Sequence, residues 1–324
     1  MGCRFSEVEI GTSVTVFAPA TVANVACGYD VLGFALDAPG DEIVARRVEG
    51  TGLRIGAVSG DGGKLPKVVE KNTAGVAALD LMRHLGCEGL GMELEIHKKM
   101  PFGSGLGSSA ASSVGGVFAV NELLGSPLSR RELLPFAMQG EVMADGAWHA
   151  DNIAPSLLGG MVLIRDNDEL DVISLPVPEG LWAAVVHPEV EILTADARAI
   201  LPKEIALTEV TRQVGNLGAL VSALYTSDFA LLGRSLQDAV AEPYRKKLIP
   251  GFEQARAAAE KGGALGYSIS GAGPSVFALC KGRDRAAAVG ELMRAAFLAE
   301  DVQATLYHSA VNDAGVKVIR NRQD

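Results

Sequence analysis

The chain has 324 residues, 48% hydrophobic and 21% charged, enough apolar content to build two packed domains and too much for a disordered chain. A formal charge of −10 at pH 7 argues against a nucleic-acid partner, which wants a basic face. Small and charged residues break every apolar run well before the ~20 residues a membrane span needs, so no membrane partner is expected.

The opening MGCRFSEVEI has neither the basic nor the apolar region of a secretory leader. Cys3, Cys27, Cys87 and Cys280 are scattered with no C-x-x-C pair. That reads as reduced thiols in a cytoplasmic protein, with neither a disulfide frame nor a zinc site. Along the chain, SVTVFA (13–18), DEIVARRV (41–48), LRIGAV (53–58) and MELEIHKK (92–99) have the alternation or β-branched content of strands. Asn72 or Thr73 caps a helix over 74–85 that Gly86 ends. A glycine-rich turn at 101–107 leads into a small-residue helix over 111–124. Ser129 and Glu132 form a capping-box pattern that opens a helix running to about Ala144. The run DNDELD (166–171) reads as an exposed turn and puts the division at 1–164 and 165–324. The second half is expected to hold strands at 181–188, 267–271, 275–280 and 302–308. Helical patterns occupy about 194–201, 209–224, 228–240, 251–261 and 284–299. Strands and helices interleave in both halves, so the fold class is α+β in two domains, with the substrate pocket between them.

Chemistry concentrates in Pro101, Phe102, Gly103, Ser104, Gly105, Leu106, Gly107, Ser108, Ser109, Ala110 and Ala111. Glycines at alternate positions let the backbone curl around a ligand without Cβ collisions, and the helix that follows adds the positive end of its dipole. The result is an anion cradle suited to nucleotide phosphates. It is not a Walker A loop, because no Lys follows Gly107, and its G-x-G-x-G spacing does not fit the dinucleotide fingerprint G-x-G-x-x-G. On this loop alone, a glycine turn before a tightly packed helix remains the alternative. His84, His97, His187 and His308 have no metal-ligand spacing and read as surface or core residues.

APATVANVACGYDVLGFAL (18–36), the glycine loop, and SISGAGPSVFAL (268–279) occur in the order of the three motifs of the GHMP kinase superfamily, which the chain resembles over nearly its whole length. Segments 18–36, 149–161, 194–202 and 241–256 are similar to the family's homoserine kinase branch. The resemblance implies an N-terminal ribosomal-protein-S5-like domain and a C-terminal ferredoxin-like domain. It also implies ATP-dependent phosphorylation of the L-homoserine side-chain hydroxyl, a step toward threonine. Residues 101–111 of the loop region, with Gly271 and Gly273, would hold ATP, with Lys71 and Asn72 near the purine. Ser109 and Glu141 would ligate Mg²⁺, which takes few protein oxygens beside phosphate. Arg198 and Arg245 would fork the substrate carboxylate and Asp30 would take the ammonium. Asn24 and His149 would orient the hydroxyl, and Thr194 would help close the site. Asp151 falls where mevalonate kinase has its catalytic Asp, whereas homoserine kinases are thought to rely on positioning and charge stabilisation. A GHMP kinase for another alcohol such as mevalonate or shikimate, a non-catalytic sensor of the same fold, and a homodimer all stay open.

Overall fold

The computed structural model describes residues 5, 7–146 and 148–322, so Cys3 lies outside the described residues. The chain opens with β1 (Ser13–Ala23), β2 (Leu32–Arg47), β3 (Leu53–Ser59), α1 (Thr73–His84), β4 (Met92–His97), α2 (Ser108–Leu123) and α3 (Arg130–Asp145). A short α4 (Ile153–Leu158) and a hairpin of β5 (Met161–Asp166) and β6 (Asp171–Leu175) follow. The second half runs β7 (Leu181–Pro188), α5 (Thr194–Ala199), α6 (Leu207–Thr226), α7 (Phe229–Ser235), α8 (Glu242–Arg245) and α9 (Phe252–Lys261). It continues with β8 (Gly266–Ile269), β9 (Val276–Lys281), α10 (Arg283–Ala299), β10 (Ala304–Ala310) and β11 (Lys317–Arg322).

The first sheet has the order β11-β1-β2-β4-β3, with β5 on β2 and β6 on β5. The second, β10-β7-β9-β8, is antiparallel throughout. The expected division at 164/165 falls inside β5. β6 and β11, which lie beyond it, belong to the first sheet because β6 closes a hairpin on β5 and β11 covers the open edge of β1. Strand periodicity joins the two halves. Ala183, Val185, Phe277 and Leu279 face the first core, while Ala184, Val186, Val276 and Ala278 face α9 and α10. Phe34 of β2 meets Phe277 edge-on at 6.1 Å across that seam.

Several elements depart from their sequence expectations for local reasons. The helix after the glycine loop begins at Ser108, not 111, because Gly107 takes the left-handed conformation (φ 66°) that sets its start. The helix expected over 228–240 stops at Ser235, since Asp238 turns back to accept from the backbone N–H groups of Val240, Ala241 and Glu242. β2 starts nine residues earlier than the expected strand at 41–48; Leu32, Phe34 and Leu36 are all buried in it. α2 is buried nearly all round, which explains its small residues. A Cβ on Gly116 would lie 2.5 Å from the Ala74 carbonyl oxygen, so only glycine lets α1 approach this closely.

Candidate active site

A cavity of ≈ 450 Å³ opens where the glycine loop, the N-terminus of α2, the 24–30 turn, α5 and the 271–273 turn converge. Local sequence builds each wall. Gly103, Gly105 and Gly107 all have positive φ, which keeps the loop tight without Cβ strain. The second half clamps that loop from behind. Ser270 Oγ donates to the Gly105 carbonyl at 2.6 Å, and the Ser275 N–H donates to the Ser104 carbonyl at 3.1 Å. A Cβ on Gly105 would sit 2.4 Å from the Ser270 carbonyl oxygen. On the other side, Thr21 N–H donates to Leu106, and Thr21 Oγ1 donates to Asn152 Oδ1 at 2.7 Å beneath Gly107.

The cradle has the polarity of an anion site. No side chain caps the N-terminus of α2. Among the described residues, the buried hydroxyls of Ser104 and Ser108, both lining the cavity, have no hydrogen-bond partner. Unpaired buried donors of this kind are costly unless a ligand satisfies them. Ser109 Oγ donates to Glu141 Oε1 at 2.7 Å, so the hydroxyl and carboxylate expected from α2 and α3 meet at the cavity wall. Among the described residues, no cluster of three or more His, Cys, Asp or Glu could hold a metal on protein ligands alone.

The opposite wall carries charges of both signs. Arg198 Nη1 donates to Asp30 Oδ2 at 3.2 Å, and His149 Nδ1 lies 3.7 Å from the same oxygen. Arg245 is buried. It donates from Nε to the Ala197 carbonyl at 3.0 Å and from Nη1 to the Gly271 carbonyl at 3.1 Å, tying α5 and the 271 turn together. Tyr29 OH lies 3.5 Å from both arginines. Asn24 donates to the Gly271 carbonyl at 2.6 Å and accepts from the Asp30 N–H at 2.9 Å. Asn24, Val25 and Ala26 all have positive φ, a strained run that this bracing holds in place. Asp151 is buried in the same wall; burial and the nearby Asp30 push its carboxyl up to about 7.

Of the expected residues, Asn24, Asp30, Lys71, Asn72, Phe102, Gly103, Ser104, Gly105, Gly107, Ser108, Ser109, Glu141, His149, Asp151, Thr194, Arg198, Arg245, Gly271 and Gly273 all line one cavity. Asn72 also caps α1, accepting from Ala74 and Gly75 N–H. Pro101, Leu106, Ala110 and Ala111 sit outside the cavity lining, and the last three of these are fully buried beneath the loop. Sequence reasoning missed Lys98 and Asp41. Lys98 lines the cavity, pairs with Asp41, and donates to the Ser108 carbonyl at 2.7 Å and Ser112 Oγ at 2.8 Å, pinning the first turn of α2. Its burial pushes the ammonium pKa down while Asp41 opposes the shift. The signal was strand parity: Lys98 shares the inward face with Met92, Leu94 and Ile96, and Asp41 with Ile43 and Ala45.

Comparison with known proteins gives a consistent picture. Residues 72–160 match the N-terminal domain of GHMP kinases and residues 220–299 match their C-terminal domain. Homoserine kinase of Chlorobium phaeovibrioides is 48% identical over 95% of this chain and 99% of its own length. The enzyme of Xylella fastidiosa is 40% identical over 94% and 93%. The crystal structure of homoserine kinase from Cytophaga hutchinsonii superposes with a TM-score of 0.93 at 54% identity, covering 95% of this chain and 97% of that one. Mevalonate kinase of L. major, at 18% identity and a TM-score of 0.70 over 91% and 95%, shares the fold.

Proposed function

The chain belongs to the homoserine kinases of the GHMP kinase family, and from that membership we infer how its cleft moves the terminal phosphate of ATP to the side-chain hydroxyl of L-homoserine. The observation that carries the reading is the pairing, in one cavity, of an anion cradle with a pocket bearing both signs of charge. ATP phosphates take the α2 N-terminus and the Ser104 and Ser108 hydroxyls. The substrate carboxylate takes Arg198 and Arg245, its ammonium takes Asp30, and Asn24 and His149 orient the hydroxyl.

The hydroxyl oxygen forms the new bond to phosphorus as the bond to ADP breaks, and its proton passes late in a loose transition state to an oxygen of the transferred phosphoryl group. Holding the two reactants in line supplies most of the acceleration. Ser109 and Glu141 would hold Mg²⁺, which would neutralise charge on the phosphates. Thr194, at the first turn of α5, helps close the site over the substrate. Asp151 supports the wall as a neutral or partly ionised acid and is not an obligatory base. Cys27 and Cys280 are buried thiols held in no disulfide, which supports a reducing, cytoplasmic setting.

ADP release with homoserine, mevalonate and shikimate side by side tests the reading. Turnover on homoserine that a chelator abolishes is expected, and equal turnover on mevalonate overturns the substrate assignment. Glu141→Ala is expected to lower kcat by about 10²-fold or more, since uncompensated phosphate charge raises the barrier. Ser109→Ala is expected to be milder. Normal turnover of Glu141→Ala at saturating Mg²⁺ would remove the metal role.

A further inference from the structure

Tyr29 lies outside the cavity lining and is half-buried, yet three elements of the site meet at its hydroxyl. That oxygen is 3.5 Å from Arg198 Nη1 on α5 and 3.5 Å from Arg245 Nη2 at the end of α8. The Tyr29 ring lies against the Arg245 guanidinium, with its centroid 5.1 Å from the guanidinium carbon. Asp30, the next residue, holds the same Arg198 Nη1 at 3.2 Å. The turn that carries both residues is a fixed anchor. Asn24 Oδ1 accepts from the Asp30 N–H at 2.9 Å, and Gln213 of α6 donates to the Cys27 carbonyl at 3.0 Å.

Two guanidinium groups drawn to one point repel each other, so whatever bridges them must accept from both. It must also leave their charge for an anion to meet. A phenol does both. Its oxygen has two lone pairs, and burial, then the Asp30 charge beside it, pushes its pKa above the usual value, so it stays neutral at physiological pH. A carboxylate in this place would pair with the arginines itself and compete with an incoming anion.

We propose that Tyr29 is a positioning residue for the substrate carboxylate: its hydroxyl holds Arg198 and Arg245 at the separation that one carboxylate bridges, and it acts on the reaction through them. The proposal rests on the substrate pose above, in which the arginines take the carboxylate and Asp30 takes the ammonium. Each arginine nitrogen is 3.5 Å from the same oxygen, so the two lie at most twice that distance apart. A carboxylate with a charge-assisted bond of ~2.8 Å on either side spans such a gap. Arg245 keeps donors for it. Of its five N–H groups, Nε goes to Ala197, one on Nη1 to Gly271 and one on Nη2 to Tyr29, which leaves one on each terminal nitrogen. As the ammonium draws Asp30 toward itself, Tyr29 keeps Arg198 tied to the same turn. The carboxylate therefore meets an arginine pair already in place, and the cost of ordering two long side chains is not charged to binding.

Steady-state kinetics on wild type, Tyr29→Phe, Arg198→Ala and the double variant tests the proposal. Tyr29→Phe keeps the ring against Arg245 and removes one oxygen, so its melting temperature is expected within a few degrees of wild type. Its kcat/KM for homoserine is expected to fall about 10-fold with the KM for ATP unchanged. In the Arg198→Ala background the same change is expected to cost less than about twofold, because no pair is left to align. A residue that only packed the turn would cost the same factor in both backgrounds. Tyr29→Leu, taken through the same cycle, decides the matter if Tyr29→Phe does not fold. Tyr29→Phe within twofold of wild type, an equal loss in both backgrounds, or a change confined to the ATP KM would overturn the proposal alone. Wild type with no turnover on homoserine would overturn the substrate pose and the proposal with it.

Discussion

At the scale of single residues, Asp151 makes two roles separable. Its carboxyl is raised from 3.8 to about 7, chiefly by burial, so the native state holds this proton longer than the unfolded chain does. Stability tied to the neutral acid is fully present below pH 3.8 and is lost progressively as pH rises toward 7. Asp151→Asn removes that loss, so its melting temperature is expected to exceed wild type at pH 8 and to match it near pH 4. In the same variant kcat is expected to fall less than ~10-fold, because a loose transition state asks little of a base. Loss of a general base costs about 10²–10⁴-fold, so a thousandfold drop with homoserine binding intact by calorimetry would make Asp151 the base. The arginines pose a different question. Truncating Arg198 or Arg245 to Ala is expected to cost ~1.5–3 kcal/mol of transition-state binding. It is expected to appear as a fall of about 10–150-fold in kcat/KM for homoserine with the KM for ATP unchanged. Steady-state kinetics that moved only the ATP KM would turn these residues into phosphate ligands. In the proposed pose the Arg198–Asp30 pair has a selectivity consequence: a zwitterion would replace both partners at once, while a simple carboxylate such as mevalonate would leave Asp30 uncompensated.

At the scale of elements, the glycine loop was legible because alternate glycines mark a tight turn in any context. The resemblance placed Gly271 and Gly273 with the loop, but the individual clamps were not legible: Ser270 and Ser275 beside those glycines, and Thr21 and Asn152 in other segments, reach it only through the fold. α5 and α9 were readable from their periodicity and flanking residues. The short α4 and β6 are each too brief to show a period, and their partners, not their composition, fix them. Lys98 reads as a surface charge in HKKM; only its position on the inward parity of β4 betrays the buried pair with Asp41. The start of α2 gives a direct test. At Gly107, φ is 66° and a Cβ would sit 2.1 Å from Thr21 Oγ1. Gly107→Ala therefore meets both a left-handed backbone, unfavourable by ~1–2 kcal/mol for an L-residue, and a collision behind the cradle. The KM for ATP is expected to rise at least ~10-fold, the counterpart of about 1.4 kcal/mol. An unchanged nucleotide KM by steady-state kinetics would mean that the loop is not held by this turn.

At the scale of the whole molecule, β11 pairs along β1, with Ser13 against Arg322, and so covers what is otherwise the open edge of the first sheet. Truncation after Val316 is expected to lower the melting temperature and to promote aggregation through the uncovered β1 edge; light scattering during a thermal ramp reads both. Melting and scattering equal to wild type would show that β1 needs no cover. The same pairing bears on how the chain is made. β1 is made well before its edge partner β11, so while the chain between them is synthesised the nascent first sheet presents an unfilled row of amide and carbonyl groups. Such an edge recruits strands from neighbouring polypeptides on the same message. Production of this protein should therefore depend on holdase chaperones more than its finished, well-covered surface suggests, and that dependence should ease in a circular permutant that joins β11 directly to β1 and opens elsewhere.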